Sequence, residues 1–297
     1  MKKYIAIIIA AVSFASCEDV IDVELNEKDQ EIYAVEARIT TMDEPWVLIT
    51  KAIPVTEDKD YEGISNAVVS ISDNAQPANE IILVEDVEHK GYYVVPEGED
   101  YYGQTGRIYT LTILTNDGVT ITTSDELSPV EPIDSIQIKP SERGNGYFLA
   151  IYTYGQETPG LGNFYKWDVF INDTLLDEVY YMAFASDELV DGNYVQGLEI
   201  FTDYFHDPKD ESERVLSFQD TIYVNQTSIS EYAYYYYYQM INQASTGFLF
   251  SVPPANLPSN FTSSDGKEVV GIFTASDVSV SNTIIIDENI ESLLRKP

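Results

Sequence analysis

Three kinds of side chain in this sequence could do chemistry: one cysteine, two histidines and a large excess of carboxylates. Cys17 follows Phe14-Ala15-Ser16 at the end of an apolar stretch, where an export signal is cut. As the only cysteine it has no disulfide partner within the chain, and its thiol reads as the attachment point for lipid. His89 and His206 each lie in an acidic, loop-like stretch, with no His or Cys neighbour at zinc-ligand spacing. No nucleophile elbow, phosphate loop or dinucleotide fingerprint occurs. With 50 Asp and Glu residues, a close carboxylate pair of the glycosidase kind arises by chance and identifies nothing. The clusters Glu97, Glu99, Asp100 and Asp207, Asp210, Glu211, Glu213 could hold Ca²⁺ loosely, but lack the ordered spacing and central glycine of a calcium loop. The expectation is a non-enzymatic protein with no cofactor beyond lipid on Cys17 and loosely bound Ca²⁺.

Tyrosine is the other unusual feature, at 23 residues with five in a row from Tyr234 to Tyr238. Ser228-Ile229-Ser230-Glu231 reads as a capping box, in which Ser228 accepts a free amide and Glu231 reaches back. A helix is therefore expected near 229–245, stopping by Gly247. Ile229, Ala233, Tyr236, Tyr237, Met240, Ile241 and Ala244 share its apolar face. Each residue turns the helix by roughly 100°, so five consecutive rings do not fit one face. Tyr234, Tyr235 and Tyr238 are then expected outward, as stiff platforms for a protein or sugar partner. The other reading is a helix wedged between two sheets and buried on both sides.

The elements around these residues follow from patterning. Lys2 and Lys3 precede the apolar run Tyr4–Val12, too short to cross a membrane, which needs roughly 20 residues. Phe14-Ala15-Ser16-Cys17 looks like a bacterial lipobox with Phe14 in the usual aliphatic place. The acidic Glu18-Asp19-Val20-Ile21-Asp22 that follows is either a surface-export signal or a solvated tether. From 31 to 123 the hydrophobic period is two: Val35, Ala37 and Ile39 alternate with polar residues, as do Tyr109, Leu111 and Ile113. Asn116-Asp117-Gly118 marks a hairpin, since glycine accepts the positive φ of a tight turn. Seven short strands in this stretch predict a small sandwich. Ser128-Pro129-Val130-Glu131-Pro132 favours extended backbone and reads as a linker. Strand patterns resume at 135–138, 147–154, 165–172, 178–184, 215–224, 267–275 and 278–286. The expected layout is a signal peptide over 1–16, an acidic tether over 17–30, a β-sandwich over 31–127 and a linker over 128–132. A β-rich domain carrying the helix follows over 133–290, with a tail over 291–297.

Net charge is −34, so nucleic acid is excluded as a partner and solubility outside the cell is favoured. Apolar residues at 44% still suffice for packed cores.

Several segments, in order, resemble one family. They are Cys17-Glu18-Asp19-Val20-Ile21-Asp22-Val23, Ser65-Asn66-Ala67-Val68-Val69, Ile133-Asp134-Ser135-Ile136 and Phe164-Tyr165-Lys166-Trp167. Ser230-Glu231-Tyr232, Ser259-Asn260-Phe261 and Val270-Gly271-Ile272-Phe273-Thr274-Ala275-Ser276 continue the series. Together they resemble the Bacteroidetes lipoprotein family catalogued as domain of unknown function 4249. Ile272 stands where an aromatic is expected, and 186–227 matches nothing in the pattern. The resemblance implies a lipid-anchored, surface-exposed outer-membrane protein whose first domain is an immunoglobulin-like or transthyretin-like sandwich. It also implies a TonB-dependent outer-membrane barrel as partner in nutrient capture. A free-standing glycan-binding or adhesive surface protein is the alternative.

Overall fold

The computed structural model describes residues 32–53, 59–141, 148–204, 216, 218–244 and 257–290. The signal, Cys17, the acidic tether, His206, the Asp207–Glu213 cluster and the tail lie outside the described residues.

The alternating stretches become β1 (Tyr33–Thr40), β2 (Trp46–Lys51), β3 (Val68–Asp73), β4 (Glu80–Glu85), β5 (Tyr92–Val94), β6 (Arg107–Leu114) and β7 (Thr120–Leu127). Next come β8 (Ile133–Pro140), β9 (Phe148–Gln156), β10 (Phe164–Ile171), β11 (Thr174–Leu175), β12 (Ala183–Ser186) and β13 (Tyr194–Tyr204). The chain continues through β14 (Thr221–Ile229), helix α1 (Glu231–Ala244), β15 (Thr262–Ser263), β16 (Val269–Ser276), β17 (Val278–Val280) and β18 (Ile284–Ile285). The protein is mainly β, with one long helix.

The first sheet runs β15-β7-β6-β3-β4-β5-β2-β1-β16. Its hairpin between β6 and β7 forms where Asn116-Asp117-Gly118 predicts it, with Gly118 at φ 87° and Tyr33 donating its hydroxyl to Asp117 at 2.9 Å. β16 lies parallel to β1, pairing Tyr33 with Val269 through Thr40 with Ser276. No hairpin can deliver a parallel neighbour, so this strand comes from far along the chain. The first sheet therefore takes in 262–263 and 269–276 from beyond the segment 128–132. That is a departure from a sandwich confined to 31–127. At the opposite edge β7 meets β16, where the Ala275 amide donates to Asp125 at 2.9 Å, and the sheet nearly closes on itself.

β8, β9 and β13 form a three-stranded sheet. β10 and β14 centre another, with β11 and β12 on β10 and β17 and β18 on β14. A second core between them includes Ile136, Leu149, Ile151, Trp167, Val169 and Val224. The segment 128–132 is stapled on both sides: the Ser228 hydroxyl donates to the Ser128 carbonyl at 2.5 Å, and the Val130 amide donates to Asp277 at 3.0 Å.

β13 is the longest strand and has no counterpart in the sequence expectations. Its register shifts between Gln196 and Leu198 and again between Glu199 and Phe201, with Gly197 at φ 97°. Two bulges reset the alternation, so a period-two search misses it. The strand expected at 178–184 becomes a 3₁₀ turn over Val179–Tyr181 followed by β12.

α1 also starts later than its capping box predicts. Ile229 and Ser228 belong to β14, paired with Phe164 and Tyr165 of β10. Ser230 is the residue whose hydroxyl accepts the Ala233 amide, at 3.3 Å. The strand claims Ser228 because Ile229, at 6% exposure, is worth more in the core than at a frayed helix start.

Candidate functional site

The alternation of β10 points Tyr165 and Trp167 to its inner face, at 7% and 6% exposure. Both polar tips are held. The Trp167 indole N–H donates to Gln226 Oε1 at 2.8 Å, and the Tyr165 hydroxyl donates to Glu157 Oε1 at 2.7 Å. Burial and then the Glu157 carboxylate push the Tyr165 phenol well above its ordinary range, so it stays a neutral donor.

These rings form one wall of a cavity of about 370 Å³. Phe184 of β12, Leu189 of the following loop, Val195 and Leu198 of β13 and Tyr234 of α1 contribute to its apolar lining. That size and composition lie within the range of small-molecule sites. Polar groups enter from Thr153, Gln156, Glu157, Ser186, Glu188 and Gln226.

Two loops brace its rim. Asp187 accepts the Gly162 and Asn163 amides at 2.9 and 3.0 Å, Asp191 accepts the Gly160 amide at 2.7 Å, and Glu157 accepts the Gly192 amide at 2.5 Å. Glu157, Asp187 and Asp191 each bring an oxygen within 4.8 Å of the others, a set hard enough for Ca²⁺. Their main-chain donors also make them fasteners that hold 157–163 against 187–193. The sequence gives little warning of this group, because Glu157 stands 30 positions before Asp187 and only the fold joins them. By contrast, Glu97, Glu99 and Asp100 are exposed in a turn.

The tyrosine helix is split three ways. Tyr235 and Tyr238 face outward, each 51% exposed. Tyr236 and Tyr237 are half-buried as the helical spacing predicts, and burial and then the Glu36 charge push the Tyr236 phenol up to about 12. Tyr234 corrects the expectation of three outward rings: it packs on Phe164 at 5.1 Å and edge-on to Phe184 at 5.2 Å, and it lines the cavity. The physical reason is the width of the buried arc. α1 contacts β16 of the first sheet as well as β10 and β14 of the sheet they centre, so a strip one step round from Ala233 is also covered. Lys166 crosses over Tyr237 at 5.7 Å from the ring centre and pairs with Asp168.

A comparison with curated proteins gives no match. A family model does match: residues 18–282, nearly the whole length, fit the family described as a domain of unknown function (DUF4249), and the chain belongs to that family.

Proposed function

We propose that this protein is a non-enzymatic binding lipoprotein, lipid-anchored through Cys17 on the outer surface of a bacterial outer membrane, and an accessory subunit of a TonB-dependent nutrient uptake system. The observation that carries the binding role is the aromatic-walled cavity beside Tyr165, Trp167 and Tyr234. The polar tips of Tyr165 and Trp167 are satisfied by fixed acceptors, which leaves the rings themselves to meet a guest. The lipobox at Phe14–Cys17 and the acidic residues after it support the anchorage. The order of family segments supports the uptake partner.

The test is affinity capture of the tagged full chain from gently solubilised outer membranes, together with nutrient uptake by a deletion strain. A TonB-dependent barrel in stoichiometric amount and loss of one uptake activity are expected. No barrel and unchanged uptake of every nutrient tried would refute the accessory role. In the same strain Cys17→Ser should shift the protein from the membrane to the soluble fraction, read by fractionation and blotting.

A second reading has its own observation. Tyr235 and Tyr238 stand one helical turn apart with half of each ring exposed, a geometry suited to stacking on a sugar. A free-standing glycan-binding or adhesive protein would lose its binding on a glycan array when both are changed to alanine.

A further inference from the structure

The charge around the cavity has one sign. Among its lining residues Glu157 and Glu188 are ionisable carboxylates, and none is Lys, Arg or His. The Trp167 N–H and the Tyr165 O–H are already given to Gln226 and Glu157, so neither is free to meet an anion. Acceptor capacity is more plentiful. Glu157 takes Tyr165 and Asn163 on Oε1 and Gly192 on Oε2, three donors against the roughly four lone-pair sites of a carboxylate.

The remaining lining is aromatic. Tyr165 and Trp167 lie with centroids 6.2 Å apart at 39°, and Phe184 meets Tyr234 edge-on. Several rings around a partly open cavity, next to carboxylates and with no cation in its lining, are the arrangement that attracts an ammonium ion. The overall charge of −34 raises the local concentration of any cation before it arrives.

We infer that the cavity takes a small organic cation, an alkyl- or arylammonium ion, with its charged head among the faces of Trp167, Phe184 and Tyr234 and beside Glu157. This rests on the binding role proposed above and names the class of ligand. A neutral apolar guest would fill the same volume, but it would leave the one-sided charge of the lining unused. An anionic guest would meet two carboxylates.

The experiment is calorimetric titration of the full chain in detergent with phenyltrimethylammonium, its uncharged isostere tert-butylbenzene and the anion benzenesulfonate. A Trp46→Phe version makes Trp167 the sole indole, so its fluorescence reports the cavity independently. The cation is expected to bind about tenfold more tightly than the isostere, with benzenesulfonate silent. Phe184→Leu and Tyr234→Leu keep apolar bulk but remove a ring face, and each should weaken the cation about fivefold while leaving the isostere nearly unchanged. Glu188→Gln is the charge test with least risk to folding, since Glu188 is exposed, and a loss of about twofold is expected. Equal or tighter binding of tert-butylbenzene would overturn the cation inference and leave the cavity as a neutral binding site. Binding of the cation that ignores both ring variants and the Trp167 signal would place it on the acidic surface, which also overturns the inference. If none of the three probes binds, the inference and the binding role fall together.

Discussion

Inside the first sheet Ile39, Val47, Ile49, Leu111, Ile113 and Ile121 are all at 0% exposure, and the buried Tyr93 and Tyr109 beside them are anchored to backbone. Tyr93 donates to the Ile64 carbonyl at 2.8 Å, and the Tyr109 hydroxyl accepts the Gln104 amide at 2.8 Å. Around β10 the corresponding inward positions hold Tyr165 and Trp167, anchored instead to side chains, and a cavity remains beside them. Branched aliphatic residues interdigitate until no space is left, whereas flat rings fixed at their tips cannot close up behind one another. The interior of the first sheet is filled, and the second region keeps a space open beside its rings, where Glu157 and Asp187 brace the loops. The filled core and the open space thus lie in different parts of one compact unit.

The seam that completes the first sheet tolerates substitution least. At Gly271 the backbone has φ 112°, and a Cβ would sit 1.9 Å from the Val35 carbonyl oxygen. Gly271→Ala should force β16 away from β1 and cost about 4 kcal/mol, measured as the urea midpoint of the full chain. Wild-type stability in that variant would mean that the parallel pairing contributes little.

A smaller effect comes from Asp125, where the sheet nearly closes. Burial pushes its carboxyl up to about 6, despite donors at Ala275 and Ser230. The ordinary value is 3.8, so between 3.8 and 6 the folded state holds a proton that the unfolded chain has released. The associated stability is fully present below 3.8 and is lost as pH rises through 6. Relative to Asp125→Asn, the wild type should lose about 2 to 3 kcal/mol between pH 4 and pH 7, at about 1.4 kcal/mol per pH unit. Parallel curves for the two proteins would show that Asp125 titrates normally.

On the cavity side, Asp187→Ala removes the acceptor of two main-chain amides at a residue 1% exposed. A loss of about 2 kcal/mol is expected, with faster amide exchange at Gly162 and Asn163, and Asp187→Asn should recover part of it. Relief of repulsion from Glu157 and Asp191 offsets some of that loss. A variant more stable than wild type would show that repulsion, not bracing, dominates the cluster.

The smallest effects separate the helix's own rings. Tyr235→Ala and Tyr238→Ala should each change stability by no more than about 0.5 kcal/mol, while Tyr234→Ala should cost about 2 kcal/mol. Thermal melts of the three variants decide it, and equal losses would contradict the inward placement of Tyr234.

Much of this fold is legible where the contacts are local. The alternation Val35, Ala37, Ile39 needs only neighbouring residues to reveal a half-buried strand, and Gly118 marks the hairpin between β6 and β7 by the backbone it permits. The helix is legible too, although its start is misplaced by the pull of β14 on Ser228 and Ile229. β13 is not legible, because its bulges reset the phase, and neither is the convergence of Glu157 with Asp187 and Asp191. Of the candidate site, the tyrosine run points to the right helix but to the wrong side of it for Tyr234.

The sequence by itself determined that the chain is β-rich, strongly acidic and equipped with one amphipathic helix, because period, charge and caps are properties of adjacent residues. Only the tertiary structure decided that β16 closes the first sheet, that Tyr234 turns inward, and that Tyr165, Trp167, Phe184 and Glu157 surround one space. Those outcomes depend on which distant surfaces meet, and no local preference encodes that meeting.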